Sequence, residues 1–297
     1  MKKWMFILGI CVLVFSSCVI EGITEIESVS GKAIDVTNTG YNYWAGLSGA
    51  TVKLTNVDTG NTYYTSVGSG GSFEFRNISS GYYKLEGSKA GSHFVPRYMA
   101  LTVYDTTVPD LIAYPSSNPS DIYVIVNWTN TYYDVDAYMV RDMDNDTDRT
   151  DGTKVAGPGI TDLADKIFYL YNAYPSLGSG RPMVETIRVG GFNGGSNEEL
   201  RYYLHLNSGN PSESLTGGSG SSAGAMVYVV QGGAIWGTFP VAFGTDEKVL
   251  SVVTFIQNGS GNTWSIGSSG GGWINGGAGT GQIKSVQDQG YVIVEQK

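Results

Sequence analysis

The stretch Gly71-Ser-Phe73-Glu-Phe75-Arg-Asn-Ile78-Ser-Ser-Gly81-Tyr-Tyr83-Lys-Leu85 constrains the fold more than any other. Phe73 and Phe75 are two residues apart, as are Tyr83 and Leu85, so each pair occupies one face of a strand. Gly81 interrupts the chain between them. The same pattern precedes this stretch. Val52 and Leu54 alternate with Thr51, Lys53 and Thr55 up to the turn Asp58-Thr59-Gly60, and Tyr63 to Val67 forms the returning strand. Leu101 with Val103, and Leu111 with Ile112, close this block. With 42 glycines, 20 tyrosines and only 15% charged residues, few stretches read as helix. The chain is expected to be all-β, and 297 residues suffice for two domains with cores of their own.

Tyr114-Pro115-Ser116-Ser117-Asn118-Pro119-Ser120 has two prolines and no hydrophobic pattern, so residues 115–120 read as an open linker. Beyond it, Ile122 to Trp128 is almost entirely apolar, as expected of a strand buried on both faces. Asp134-Val-Asp136-Ala-Tyr138-Met-Val140 alternates acid with apolar residues. Further strands are expected at 168–171, 185–189, 201–206, 226–230, 249–256 and 290–294. The Gly/Ser-rich stretches 207–224 and 259–281 read as long loops.

The N-terminus has Lys2 and Lys3, then an apolar run from Trp4 to Phe15 too short to span a bilayer, then Ser16-Ser17-Cys18. This is the layout of a secretory signal. Phe15-Ser16-Ser17-Cys18 resembles the lipobox of bacterial lipoproteins, with Phe15 standing where Leu is usual. The resemblance implies a signal peptide over 1–17, diacylglycerol on Cys18 and a tether over 18–28. It places the protein in the bacterial cell envelope, held by lipid at the outer membrane or cell surface. Cys11 would leave with the signal, and the mature chain would contain no pair for a disulfide. Loss of Lys2 and Lys3 would take the formal charge from -9 to -11. Such a chain is repelled by phosphate backbones, so nucleic acid is not an expected partner.

Leu47-Ser-Gly49-Ala50-Thr-Val52-Lys-Leu54, the turn at Gly60 and the Gly71 to Leu85 stretch together resemble the carboxypeptidase regulatory-like family. Its members are prealbumin-type sandwiches akin to adhesin B-repeats. The resemblance covers 29–114 and implies a non-catalytic spacer or folding-support module. Trp128, then Asp134-x-Asp136, then Arg201-Tyr-Tyr203-x-His205 is similar to a C-terminal β-sandwich of uncharacterised bacterial surface proteins, spanning 121–297. Ala137 and Tyr138 stand where that family has Leu and His. The expected fold is therefore two tandem β-sandwiches, the first prealbumin-like and the second a larger sandwich or jelly roll.

Asp142, Asp144, Asp146 and Asp148 occupy alternate positions, a spacing that lets carboxylates converge on calcium if the loop curls. Thr147 stands where an EF-hand-like loop has its glycine, and Thr153 where it has its glutamate. A solvated acidic hairpin tip is the other reading of this run. Tyr132, Tyr133 and Trp236 are candidate aromatic contacts for a glycan or protein ligand. Gly220-Ser-Ser222-Ala-Gly224 has the letters of a nucleophile elbow but lies in a Gly/Ser run, without the strand and helix an elbow needs. His93 and His205 fall in different domains. The reading these residues favour is a non-catalytic envelope lipoprotein that binds or scaffolds. The alternative is an envelope-glycan hydrolase using acids such as Asp134 and Asp136.

Overall fold

The computed structural model describes residues 25–40, 43–128, 134–142, 153–156, 168–172, 183–190, 199–208, 225–241, 249–257, 264–267, 273–274, 282–283 and 294–295. The fold is all-β and built from β-sandwiches. The first comprises β1 (Glu25–Gly40), β2 (Tyr43–Gly46), β3 (Thr51–Asn56), β4 (Thr62–Ser66), β5 (Ser72–Ser79), β6 (Gly81–Ser88), β7 (Ser92–Phe94), β8 (Arg97–Leu101) and β9 (Leu111–Pro115). One sheet runs β2-β1-β9-β7, with β5 also on β1, and the other runs β4-β3-β6-β8.

The long β1 serves two partners. Its first half pairs antiparallel with β5, from Glu25 opposite Ser79 to Lys32 opposite Ser72. Its second half runs parallel to β9, with Ala33 opposite Leu111. The strand begins inside the segment expected to be a tether, because Ile26 is an apolar residue that the core takes in. The alternation in the sequence accounts for the rest of that core: Val52, Leu54, Phe73, Phe75, Tyr83 and Leu85 all point inward. Val103, expected on a strand, lies instead in the turn after β8, where Thr102 N and Oγ1 both donate to Asp105 Oδ2.

The second sandwich comprises β10 (Ile122–Trp128), β11 (Asp134–Asp142), β12 (Thr153–Ala156), β13 (Phe168–Asn172), β14 (Met183–Val189), β15 (Glu199–Ser208), β16 (Ala225–Gln231), β17 (Ala234–Val241), β18 (Val249–Gln257) and β19 (Trp264–Gly267). Its sheets run β13-β14-β10-β16-β17 and β12-β11-β15-β18-β19. Val124, Val126 and Trp128 of β10 meet Val135, Ala137, Tyr202 and Phe255 of the facing sheet. Glu185 of β14 is buried beside them and accepts a 2.7 Å hydrogen bond from the Ala137 amide across the sandwich.

Strand β10 is buried on both faces, as its apolar run implies. Its second face has a different partner, because Tyr123 and Ile125 pack into a third core with Val184, Tyr228 and Val230. The first sandwich supplies the other half of that core: Ile34, Val36, Val95, Ile112 and Tyr114. Polar groups close its rim. Arg97 donates to the Tyr228 hydroxyl and, at 3.3 Å, to Asn127 Oδ1, with its guanidinium 5.2 Å from the Tyr228 ring centroid. Rings continue across the boundary from His93 to Tyr114 (5.5 Å) and from Tyr114 to Tyr123 (5.4 Å).

The linker segment is hydrogen-bonded along its length. Ser116 N donates to Gly91 O, Asn118 Nδ2 to Asp121 Oδ1, and Gln231 Nε2 to Ser120 O. Asp121 is buried and its other oxygen accepts from Arg188 Nε at 2.7 Å. The composition of 115–120 thus marks a turn pinned between two packed bodies, with prolines where the chain changes direction.

Burial pushes the Asp110 carboxyl above its ordinary range, against the pull of Lys32 and Arg97. A raised folded-state value means that Asp110 favours folding when protonated. That contribution is full below the unfolded carboxylate range and is lost as pH rises through the folded value. Asp110→Asn should therefore raise the thermal midpoint at neutral pH and flatten its dependence between mildly acidic and neutral pH. Melting curves across that range check this.

Candidate functional site

Of the residues singled out from the sequence, Cys18, Tyr132, Tyr133, Asp144, Asp146 and Asp148 lie outside the described residues. Asp142 is the last residue of β11, opposite Glu199. Among the described residues, no group of three or more His, Cys, Asp or Glu side chains is placed to hold a metal. Trp236 lies on β17, at the edge of its sheet among the described strands. Gly237 pairs with Val229 and Ile235 with Val230, so Trp236 is the extra residue of a bulge. It is 36% exposed next to exposed Ile235, a small apolar pair at the open edge.

Two polar stretches of the second sandwich come together on the sheet face opposite its core. Asp136 is in register with His205 and Tyr138 with Tyr203, while Arg201 faces Val140 one step on. Asp136, Tyr138, Arg201 and Tyr203 are all buried, with Arg201 only 2% exposed. Burying a guanidinium and a carboxylate on one face is costly unless they are hydrogen-bonded and paired.

The first sandwich presents the opposite kind of surface. On the outer face of β4-β3-β6-β8, register puts Tyr64 beside Lys53 and Lys53 beside Glu86. The next row is Thr62, Thr55, Lys84 and Tyr98, and the next contains Tyr82 and Ala100. Tyr64, Tyr82 and Tyr98 are 67%, 45% and 56% exposed. The rings of Tyr82 and Tyr98 are near-parallel at 21°, with centroids 6.3 Å apart. Between the tyrosines runs a charge ladder: Lys53 Nζ is 3.6 Å from Glu86 Oε2, and Lys84 Nζ is 2.6 Å from Glu86 Oε1. The Glu86 hydrogen bond holds the Lys84 ammonium above its ordinary value, and that ammonium also lies 5.9 Å from the Tyr98 ring. The Thr55 hydroxyl, in the middle of the face, is covered yet has no hydrogen-bond partner.

The sequence does not single out this face, because each tyrosine sits in a strand that its inward residues already account for. The available signal was the position of large aromatics on the outward half of each alternation: Tyr64 beside Tyr63, Tyr82 beside Tyr83, and Tyr98 before Met99. Exposed aromatics grouped on one face, unlike single ones, call for an explanation.

No family model matches the chain, and no curated protein does either. Among solved structures it is similar to a homologue of the telluride resistance protein TerD from Streptomyces coelicolor. That match has 12% identity and a TM-score of 0.33, over 50% of this chain and 86% of that one. It is also similar to BcpA, the major pilin subunit of Bacillus cereus, at 11% identity and a TM-score of 0.24, over 90% and 94% of the two chains. A DUF3823 family protein from Bacteroides ovatus matches at 15% identity and a TM-score of 0.23, over 61% and 91%. Likenesses this distant are no basis for transferring an activity or a partner.

Proposed function

We propose that this protein is a non-catalytic cell-envelope lipoprotein. In this reading a two-sandwich body displays a binding face from an N-terminal lipid anchor. The observation that carries the reading is the outer face of β4-β3-β6-β8, where three exposed tyrosines surround a charge ladder on a sheet whose inner side is fully packed. Surface chemistry of this kind serves contact, since aromatic rings give large area at little conformational cost. The acids invoked for a hydrolase fit less well. Asp134 and Asp136 share one strand and Asp136 is buried, whereas glycoside hydrolysis needs two carboxylates flanking a cleft.

Anchoring is tested through Cys18. Cys18→Ala should move the protein from the membrane fraction to the soluble one, and a palmitate analogue should label the wild type alone. A wild type that takes no label and fractionates as soluble removes the anchor from the account.

The run Asp142, Asp144, Asp146 and Asp148 belongs to this reading as a calcium loop of the second sandwich. At free calcium about 100 times the dissociation constant, linkage raises stability by about 2.7 kcal/mol, a rise of a few degrees in the midpoint. Asp144→Asn with Asp146→Asn should abolish that rise and leave the calcium-free midpoint unchanged or slightly higher. A midpoint indifferent to calcium and chelator in the wild type leaves a solvated acidic tip.

A further inference from the structure

We infer that the face carrying Tyr64, Tyr82 and Tyr98 is a carbohydrate platform whose occupant is a flat, β-linked pyranose chain. The inference rests on the binding reading above and supplies its ligand class. Three features of the face select this occupant over a protein surface.

The first is its composition. Ala100 and Val57 are the only aliphatic residues in the rows described, and the remaining positions are Tyr, Thr, Lys and Glu. A protein hot spot puts its aromatic anchor into a desolvated apolar pocket. A sugar instead offers an apolar ring face edged by hydroxyls, and needs an exposed ring with hydrogen-bonding groups alongside. Tyr82 and Tyr98 provide such rings, and Lys53, Lys84 and Glu86 provide the donors and acceptors.

The second is the geometry. Two near-parallel rings on neighbouring strands form one platform, and the third ring, Tyr64, stands at the far side across the charge ladder. Rings and polar groups therefore lie across all four strands of one sheet face. A chain of equatorially linked pyranoses is itself ribbon-like and presents alternating apolar faces and hydroxyl edges. A helical α-linked glucan fits a curved cleft better.

The third is the Thr55 hydroxyl, which is covered and unpartnered at the centre of the face, between Thr62 and Lys84. Covered hydroxyls are ordinarily paired. A small rearrangement of Lys84 upon contact with a sugar hydroxyl would give this oxygen the partner it lacks.

The test is native affinity electrophoresis of the full chain through gels containing hydroxyethylcellulose, xylan or galactomannan, with soluble starch as the contrast. At least one of the three β-linked polymers should retard the wild type. Tyr82→Ala with Tyr98→Ala should weaken that retardation by about tenfold or more, since two ring contacts are lost. Tyr82→Phe with Tyr98→Phe should keep it, because the rings remain and only the hydroxyls go. Tyr104→Ala, which removes a 90% exposed tyrosine from the turn after β8, should leave it unchanged.

Absence of retardation by all three β-linked polymers overturns the inference, as does retardation by starch alone or retardation indifferent to the double alanine variant. None of these touches the anchored, non-catalytic reading, which is tested by fractionation. Retardation with progressive shortening of the polymer, followed by size-exclusion, supports the carbohydrate face and overturns the non-catalytic reading.

Discussion

Ile125→Asp should destabilise both sandwiches at once, by on the order of 4 kcal/mol or more. Ile125 is fully buried on the outward face of β10, in the core shared with Ile34, Val36, Val95, Ile112 and Tyr114. Removing its side chain leaves a cavity that alone costs about 2–5 kcal/mol, and the new carboxylate adds the cost of its desolvation. Against a total stability of about 5–15 kcal/mol this is a large fraction. In calorimetry the wild type should melt in one transition, with calorimetric and van't Hoff enthalpies in agreement. The variant should melt far lower, or in two separated steps as the sandwiches lose their common boundary. A wild type that already melts in two steps would show that the third core does not couple them.

Gly71→Ala should be nearly as damaging, for a backbone reason. Gly71 has φ +83° and closes the one-turn 3-10 segment that leads into β5. A methyl there would meet the Gly46 backbone, and it would lie 2.6 Å from the Ala33 carbonyl oxygen. The left-handed conformation disfavours any side chain, and the collision is with backbone, which cannot swing aside. Together these should cost about 4 kcal/mol in denaturant unfolding. Gly60→Ala is the control: its φ is +76° and nothing lies within 4 Å of the added methyl, so only the conformational cost of about 1 kcal/mol remains. Equal losses at the two positions would show that close approach to Gly46 contributes nothing.

That contrast also shows what was legible in the sequence. The spacing Phe73-x-Phe75 and Tyr83-x-Leu85 reports inward faces, because alternation is a local property. Of the two glycines that precede these pairs, Gly71 has a positive φ, whereas a methyl at Gly81 would meet the Asn56 side chain. The apolar run of β10 likewise reports burial on both faces. It does not report what lies on the second face, since Tyr123 and Ile125 look alike whether they meet a helix, a sheet or a second domain. The junction was illegible for the same reason. Residues 115–120 have linker composition, and only Gly91, Gln231 and, through the adjacent Asp121, Arg188, all distant in sequence, turn them into a pinned turn. The start of β1 inside the expected tether is not legible, because Glu25 to Ser28 is too short and mixed to show a period.

The candidate site divides along similar lines. The acidic run and Tyr132–Tyr133 stand out as local clusters, whereas Tyr64, Tyr82 and Tyr98 lie on three strands and become a group only through sheet register. Trp236 is visible as a lone tryptophan, but the bulge that sets it in the edge strand is not.

The central claim is that the two sandwiches behave as one body, joined through the third core and the pinned turn at 115–120. Limited proteolysis under native conditions tests it most directly, with peptide mapping of the first cuts. The account predicts that 115–120 stays intact until global unfolding, because its backbone is hydrogen-bonded and Asp121 is buried. First cleavage between Pro115 and Ser120, releasing two stable folded fragments, would contradict it.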